Sequence, residues 1–363
     1  MNRENSFRER LKAFREGTLS EADEREMEEE LDKLDAYNAL LDEETGGSVP
    51  GKQSEEMIIG RSKWRARWTS TLITLVVLLL ILPVSYMGTL VYYALHPSLN
   101  ANQLIEVLDK TVYVTQPNMT LEERKIETQV HPLSLTVDME LWKKVGNRDI
   151  RAGKQSASFI LGRPNGFPKV EYFTDAPLPE VPTEENRMLV HPGIPSLPYM
   201  TGTEWRRLEK LPEGTVAEAY VSLNRVTGTD EALKALQSGS VEVVWYAVDT
   251  GFEQRGVDSE GRVIGPIGYP AQEDRDAWSP FNDTKENAEQ FMDTLVFLKN
   301  YEKMAALFSG SQSLELDKRI RYLKENGIKT YGAVVTGSVK DLAALRNNPL
   351  VRGIKVGEVR LWN

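Results

Sequence analysis

From Trp68 to Leu95 the chain carries no charged residue. Thr69–Leu95 reads TSTLITLVVLLLILPVSYMGTLVYYAL, with Leu, Ile and Val filling its centre. A helix needs about 20 such residues to cross roughly 30 Å of hydrocarbon at ~1.5 Å per residue. Trp64 and Trp68 on one side, and Tyr92 and Tyr93 on the other, suit the two membrane interfaces. The N-terminal flank holds Arg61, Lys63, Arg65 and Arg67, whereas the flank from His96 to Gln103 holds no Lys or Arg. The positive-inside rule then places residues 1–67 in the cytoplasm and 96–363 outside. A cleaved signal peptide would have its apolar core within the first 15–30 residues or so; here a long hydrophilic segment comes first. A buried core helix would show a polar face, which is missing. Pro83 predicts a kink. Gly88 is isolated, so no small-xxx-small pairing motif is present.

This span predicts a single-pass membrane protein in five parts. These are a short all-α cytoplasmic segment over 1–45, a linker and basic flank over 46–68, and the transmembrane helix over 69–95. Outside follow a β-rich region over 96–200 and an α+β region over 201–363. Net charge is −10. Residues 1–60 hold 17 acidic and 8 basic side chains, which suits a basic protein partner. No basic face of the kind nucleic acid requires is present, so direct nucleic-acid binding is not expected. The chain has no cysteine, which excludes disulfide stapling, thiol catalysis and Cys-type zinc sites. The outer part must therefore rely on a hydrophobic core, and its length is sufficient for one.

In the cytoplasmic piece, Phe7, Leu11 and Phe14 fall at i, i+4, i+7, one face of a short helix that Gly17 would stop. Ser20 caps a second helix whose first turn carries Glu21, Asp23 and Glu24. On it Met27, Leu31, Leu34, Asn38 and Leu41 share a stripe, with Tyr37 and Leu40 beside it and an acidic opposite face. Gly46–Gly51 breaks the pattern, and 46–60 reads as a flexible linker. Two helices with so few large apolar residues could form a self-contained αα-hairpin. The entropy cost of folding favours burial of the stripe on a partner instead. The candidate partner-binding residues are Phe7, Leu11, Phe14, Met27, Leu31, Leu34 and Leu41.

The segment Phe7–Glu43 (FRERLKAFREGTLSEADEREMEEELDKLDAYNALLDE), then a linker and one membrane span, resembles the N-terminal domain of the bacterial sigma factor regulator family. Thr215–Asn363 resembles that family's C-terminal domain. The resemblance implies that the cytoplasmic part binds an extracytoplasmic-function sigma factor and keeps it from RNA polymerase. It also implies a small polytopic membrane protein as co-regulator and a response to envelope stress. It brings no catalytic residues and no cofactor. Zinc-containing anti-sigma domains use a His and a Cys-x-x-Cys, and this segment has neither. The seven contact residues come from helical spacing alone. A different class of reading is a membrane scaffold for the envelope or division machinery with no sigma partner.

In the outer region, alternating runs at Leu133–Asp138, Ala157–Gly162 and Lys169–Thr174 predict strands. The proline-rich stretch Ala176–Pro198 reads as an exposed connector or irregular cover. Val226–Leu236 matches Val335–Leu345 as an internal repeat. Each copy lies between apolar strands, Val216–Arg225 and Val241–Val248 for one, Ile328–Val335 and Val351–Leu361 for the other. Thr229 and Ser338 sit at expected helix N-caps. Two such units predict a ferredoxin-like βαβ…βαβ arrangement. The insertion between them predicts helices at about Lys285–Leu307 and Leu314–Asn326, the latter ended by Gly327. No enzyme constellation emerges. His96, His131 and His191 each precede proline and read as surface loop residues rather than a metal set. Glu273–Asp276 reads as a solvated acidic loop. Gly265–Gly268 lacks the Lys-Ser/Thr of a phosphate loop, and there is no Gly-x-Ser-x-Gly elbow.

Overall fold

A computed structural model describes residues 10–14, 21–44, 50–179, 182–275 and 278–361, and at 21, 22, 24, 42–44 and 50–67 the backbone alone. Phe7 lies outside the described residues. The chain divides into two compact units, Met1–Ile81 and Leu82–Asn363.

The first unit is helical. A turn over 10–14 precedes α1 (Glu21–Glu44). The next helix, α2, runs from Pro50 to Leu95 over 46 residues. The open linker expected over 46–60 is thus helical from residue 50. Proline is pre-organised for the first helical position, and extending a helix that is already nucleated costs little. Within α2, the 28 residues Trp68–Leu95 are long and apolar enough to cross a membrane. Among the described residues, one helix of membrane-spanning length joined to a mixed helix and antiparallel-sheet region fits a single-pass membrane protein.

The second unit begins with the end of α2 and continues into α3 (Ala101–Thr115). This helix was not legible in a region read as β-rich. Asn100 caps it by accepting from Gln103 N at 3.0 Å. Leu104, Val107, Leu108 and Val112 are buried at helical spacing along it. The first sheet holds β1 (Thr120–Leu121), β2 (Glu127–His131), β3 (Ser134–Val145), β4 (Arg148–Ile160), β5 (Arg163–Pro164) and β6 (Lys169–Tyr172). Its spine is the β3–β4 hairpin, with Ser134 opposite Ile160 at one end and Val145 opposite Arg148 at the other. Every second residue of β3 is buried, which puts Leu135, Val137, Met139, Leu141, Lys143 and Val145 on the inner face.

The second sheet has the order β11-β7-β10-β8-β9, every pair antiparallel. Its strands are β7 (Thr215–Thr227), β8 (Glu242–Val248), β9 (Gly268–Pro270), β10 (Thr330–Ser338) and β11 (Val351–Leu361). A short helix α4 (Glu204–Glu209) leads into β7, and α5 (Thr229–Leu236) follows it. The connection from β8 to β10 carries β9, α6 (Asn287–Lys299), α7 (Glu302–Phe308) and α8 (Leu316–Asn326); α9 (Val339–Ala344) follows β10. β7 is buried on both faces. Ala217, Ala219, Val221 and Leu223 join the main core, while Tyr220 joins a second cluster with Leu189, Trp245, Tyr331 and Val334. Leu189 and Val190 are buried, so the described part of the proline-rich stretch serves as a cover.

Three expected features shift in detail. The helix expected over Lys285–Leu307 is two helices, because Asn300 N and Tyr301 N turn back to Phe297 O and Leu298 O in the tighter three-residue pattern. Ser338 caps α9 as expected, accepting from Asp341 N at 3.1 Å, but the cap of α5 is Gly228, one residue before Thr229. α8 starts at Leu316 rather than Leu314, after Glu315 in a left-handed conformation, and ends at Gly327.

Candidate functional site

α1 is built from twelve acidic and two basic residues around a sparse apolar stripe. Arg10 forms ion pairs with Glu26 at 3.7 Å and Glu30 at 3.9 Å, which lays the 10–14 turn along this helix. Met27, between those two glutamates, has no exposed surface. Phe14 and Leu31 are half-buried. Leu11, Leu34, Tyr37, Leu40 and Leu41 are exposed, with Tyr37 at 61% and Leu40 at 62%. The stripe therefore divides. At its N-terminal end Met27 is buried, and from Leu34 onward large apolar side chains face out of an acidic helix. Glu30, Lys33, Leu34 and Tyr37 line a shallow depression there.

The second unit holds a buried charged joint between its two sheets. Lys143 Nζ lies 2.7 Å from Glu218 Oε2, and neither side chain has exposed surface. Glu218 also accepts from Asn118 Nδ2 at 2.7 Å and from Glu358 N at 3.1 Å. Asn118 and Lys143 belong to the first-sheet region, Glu218 and Glu358 to β7 and β11 of the second. Two charges this close and fully desolvated must be paired and hydrogen-bonded, and here they are. A second buried pair, Arg319 with Glu253 and Thr250, ties α8 to the loop after β8. These groups satisfy one another and serve to position chain.

His191, read as a surface residue, is buried. Its Nδ1 accepts from Gly193 N at 3.0 Å. Burial lowers its pKa; Asp249, 3.7 Å away, and Glu253 oppose that, and Arg352 adds to it. His96 Nδ1 accepts from Ser98 N and Leu99 N just past the end of α2, and His131 is exposed. Among the described residues no three His, Asp or Glu side chains converge as a metal-binding set.

A membrane-length helix followed by a two-sheet domain held by buried pairs fits a single-pass membrane protein. Comparison with known proteins gives the family. The model described as "Sigma factor regulator N-terminal" matches residues 56–150, and "Sigma factor regulator C-terminal" matches 208–358. The chain belongs to the sigma factor regulator family. The C-terminal match agrees with the resemblance seen over Thr215–Asn363. The N-terminal match begins after the acidic segment and takes in the span, α3 and the β3 strand. A Bacillus subtilis (strain 168) protein, described as the probable anti-sigma-M factor YhdL, is 28% identical over 371 residues, covering 100% of this chain and 99% of its own. No solved structure matches.

Proposed function

We propose that this protein is a membrane-anchored anti-sigma factor that acts by binding rather than by catalysis. Residues 1–45 lie in the cytoplasm and sequester an extracytoplasmic-function sigma factor; residues 96–363 lie outside and respond to envelope stress, with a small polytopic membrane protein as co-regulator. The observation that carries the reading is the exposed apolar run of α1, Leu34 to Leu41, on an acidic helix tethered to a single span, in a chain of the sigma factor regulator family. The full-length similarity to a probable anti-sigma-M factor supports it. Phe7, Leu11, Phe14, Met27, Leu31, Leu34 and Leu41 form the proposed contact set. Leu31 and Leu34 are central to the partner surface. The strand order β11-β7-β10-β8, with helices after β7 and β10, supports a ferredoxin-like βαβ…βαβ reading of the C-terminal part.

The binding reading is tested by Leu31→Asp combined with Leu34→Asp. Burying one Leu contributes about 1.5–3 kcal/mol, so at ~1.4 kcal/mol per decade the double variant loses on the order of a hundredfold or more in affinity for the sigma factor. The sigma factor's target genes should rise while the variant still reaches the membrane at normal level. Continued silencing would show that this stripe is not the sigma-binding surface. Capture of division or wall proteins by residues 1–60, with no sigma factor, would favour the scaffold reading.

A further inference from the structure

The turns at one end of the first sheet combine unusual residues with unusual hydrogen bonding. His131 pairs with Ser134 and Ile160 with Arg163, so Pro132–Leu133 and Leu161–Gly162 are two-residue turns. Leu133 (φ 65) and Leu161 (φ 47) both sit in the left-handed region, where Gly, Asn and Asp are the favoured residues. Both leucines are exposed, at 52% and 44%, beside exposed Ile160 and, in the next loop, Phe167. In water such tips would be polar.

Their backbone groups are bonded to α2 and to each other. Leu133 N donates to Thr89 Oγ1 at 2.7 Å, and Leu161 N donates to Leu133 O at 3.2 Å. Tyr92 Oη donates to Leu161 O at 3.0 Å. Tyr93 Oη donates to Phe159 O at 3.2 Å and accepts from Gly162 N at 3.1 Å. A Cβ at Gly162 would lie 2.8 Å from Leu99, so the close seat on the helix end requires glycine there. Satisfied backbone is what a low-dielectric setting demands. Thr89, Tyr92 and Tyr93 lie in the last two turns of the apolar run. That run, 28 residues, is about 42 Å long against ~30 Å of hydrocarbon, so its ends reach headgroup depth.

We propose that the Pro132–Leu133 and Leu161–Gly162 turns, with Ile160 and Phe167, are a second membrane contact, immersed in the interface of the leaflet at the C-terminal end of the span. Exposed Arg163 beside them suits lipid phosphates. The inference rests on α2 crossing the bilayer and holds for either orientation.

The chain has no cysteine, so a single introduced one takes an environment-sensitive fluorophore uniquely. The full chain in phosphatidylcholine–phosphatidylglycerol vesicles would be labelled in turn at Leu133→Cys, Leu161→Cys and Phe167→Cys. Leu79→Cys, inside the span, and Asn147→Cys, at the opposite turn of the β3–β4 hairpin, are the references. The three tip labels should show blue-shifted emission and lose intensity to shallow spin-labelled lipids, with the Asn147 label quenched only by aqueous iodide. Tip labels that behave like Asn147 while Leu79 is quenched by lipid would overturn this proposal alone. A Leu79 label untouched by lipid quenchers would overturn the span reading and the proposal with it.

Discussion

Asp109 on α3 is a carboxylate in an awkward place. It is buried, and its Oδ1 has no hydrogen-bond partner among the described residues. Burial pushes its carboxyl well above the usual carboxylate range, and the nearby Glu123 charge, itself bonded by Tyr113 Oη at 2.5 Å, pushes it the same way. The folded state therefore holds this proton more tightly than the unfolded chain does. The stability this contributes is fully present below the ordinary value of 3.8 and is lost as pH rises through the raised folded value. An asparagine in its place would mimic the protonated acid at every pH, so Asp109→Asn should raise the melting temperature at pH 7 and leave it nearly unchanged at pH 4. Thermal unfolding of the detergent-solubilised chain across that range checks this. A variant that loses stability at pH 7 relative to pH 4 would show that the carboxylate has a partner when ionised.

The short elements depend on their ends. α9 has six residues, far below the length at which a helix holds itself in water. Ser338 caps it, and Asp341 reaches across to Ser240 N at 2.9 Å, joining the start of the helix to the turn before β8. Ser338→Ala should cost about 1 kcal/mol in urea unfolding. Thr229→Ala should cost clearly less, since Gly228 holds the equivalent cap; equal losses would mean that Thr229 carries the cap after all. The repeat containing these helices was legible because Val-Thr-Gly and the strands around it are local signals. α3 was not, because its last residues, Val112-Tyr113-Val114-Thr115, favour strand and are held helical by burial. β3 was read only as far as Asp138, although Met139 and Leu141 continue its buried alternation; beyond them the buried position is Lys143, and the partner that permits it, Glu218, is 75 residues away. The tips at Leu133 and Leu161 escaped notice for a similar reason: turn residues are expected to be Gly or Asn, and nothing local shows what surrounds a leucine there. Of the proposed sigma contacts, spacing placed the stripe on one helix face, but not that Met27 would be buried while Leu34 and Leu41 are exposed.

At the scale of the second unit, two sheets without a shared strand pair behave as one body only if the joint between them is strong. Besides the apolar core, that joint includes the fully buried Lys143–Glu218 pair with its two donors, Asn118 and Glu358 N, the half-buried pair Lys144–Glu242 at 2.7 Å, and Gly146 N donating to Thr336 Oγ1. Removing one member of a fully buried pair leaves an unpaired charge, which costs about 3–5 kcal/mol, whereas removing both charges costs far less. Lys143→Met should therefore lower stability by roughly that amount. Adding Glu218→Gln should recover much of the loss, because Gln can still accept a hydrogen bond from Asn118 or Glu358 N and carries no charge. The contrast separates the pair from simple packing of the introduced methionine, which is the same in both variants. If the joint makes one body of the two sheets, the parent unfolds in a single transition by tryptophan fluorescence and by circular dichroism. In Lys143→Met the midpoint falls, and in the double variant it climbs back. A double variant no more stable than Lys143→Met would show that the buried charge pair is not what the joint depends on.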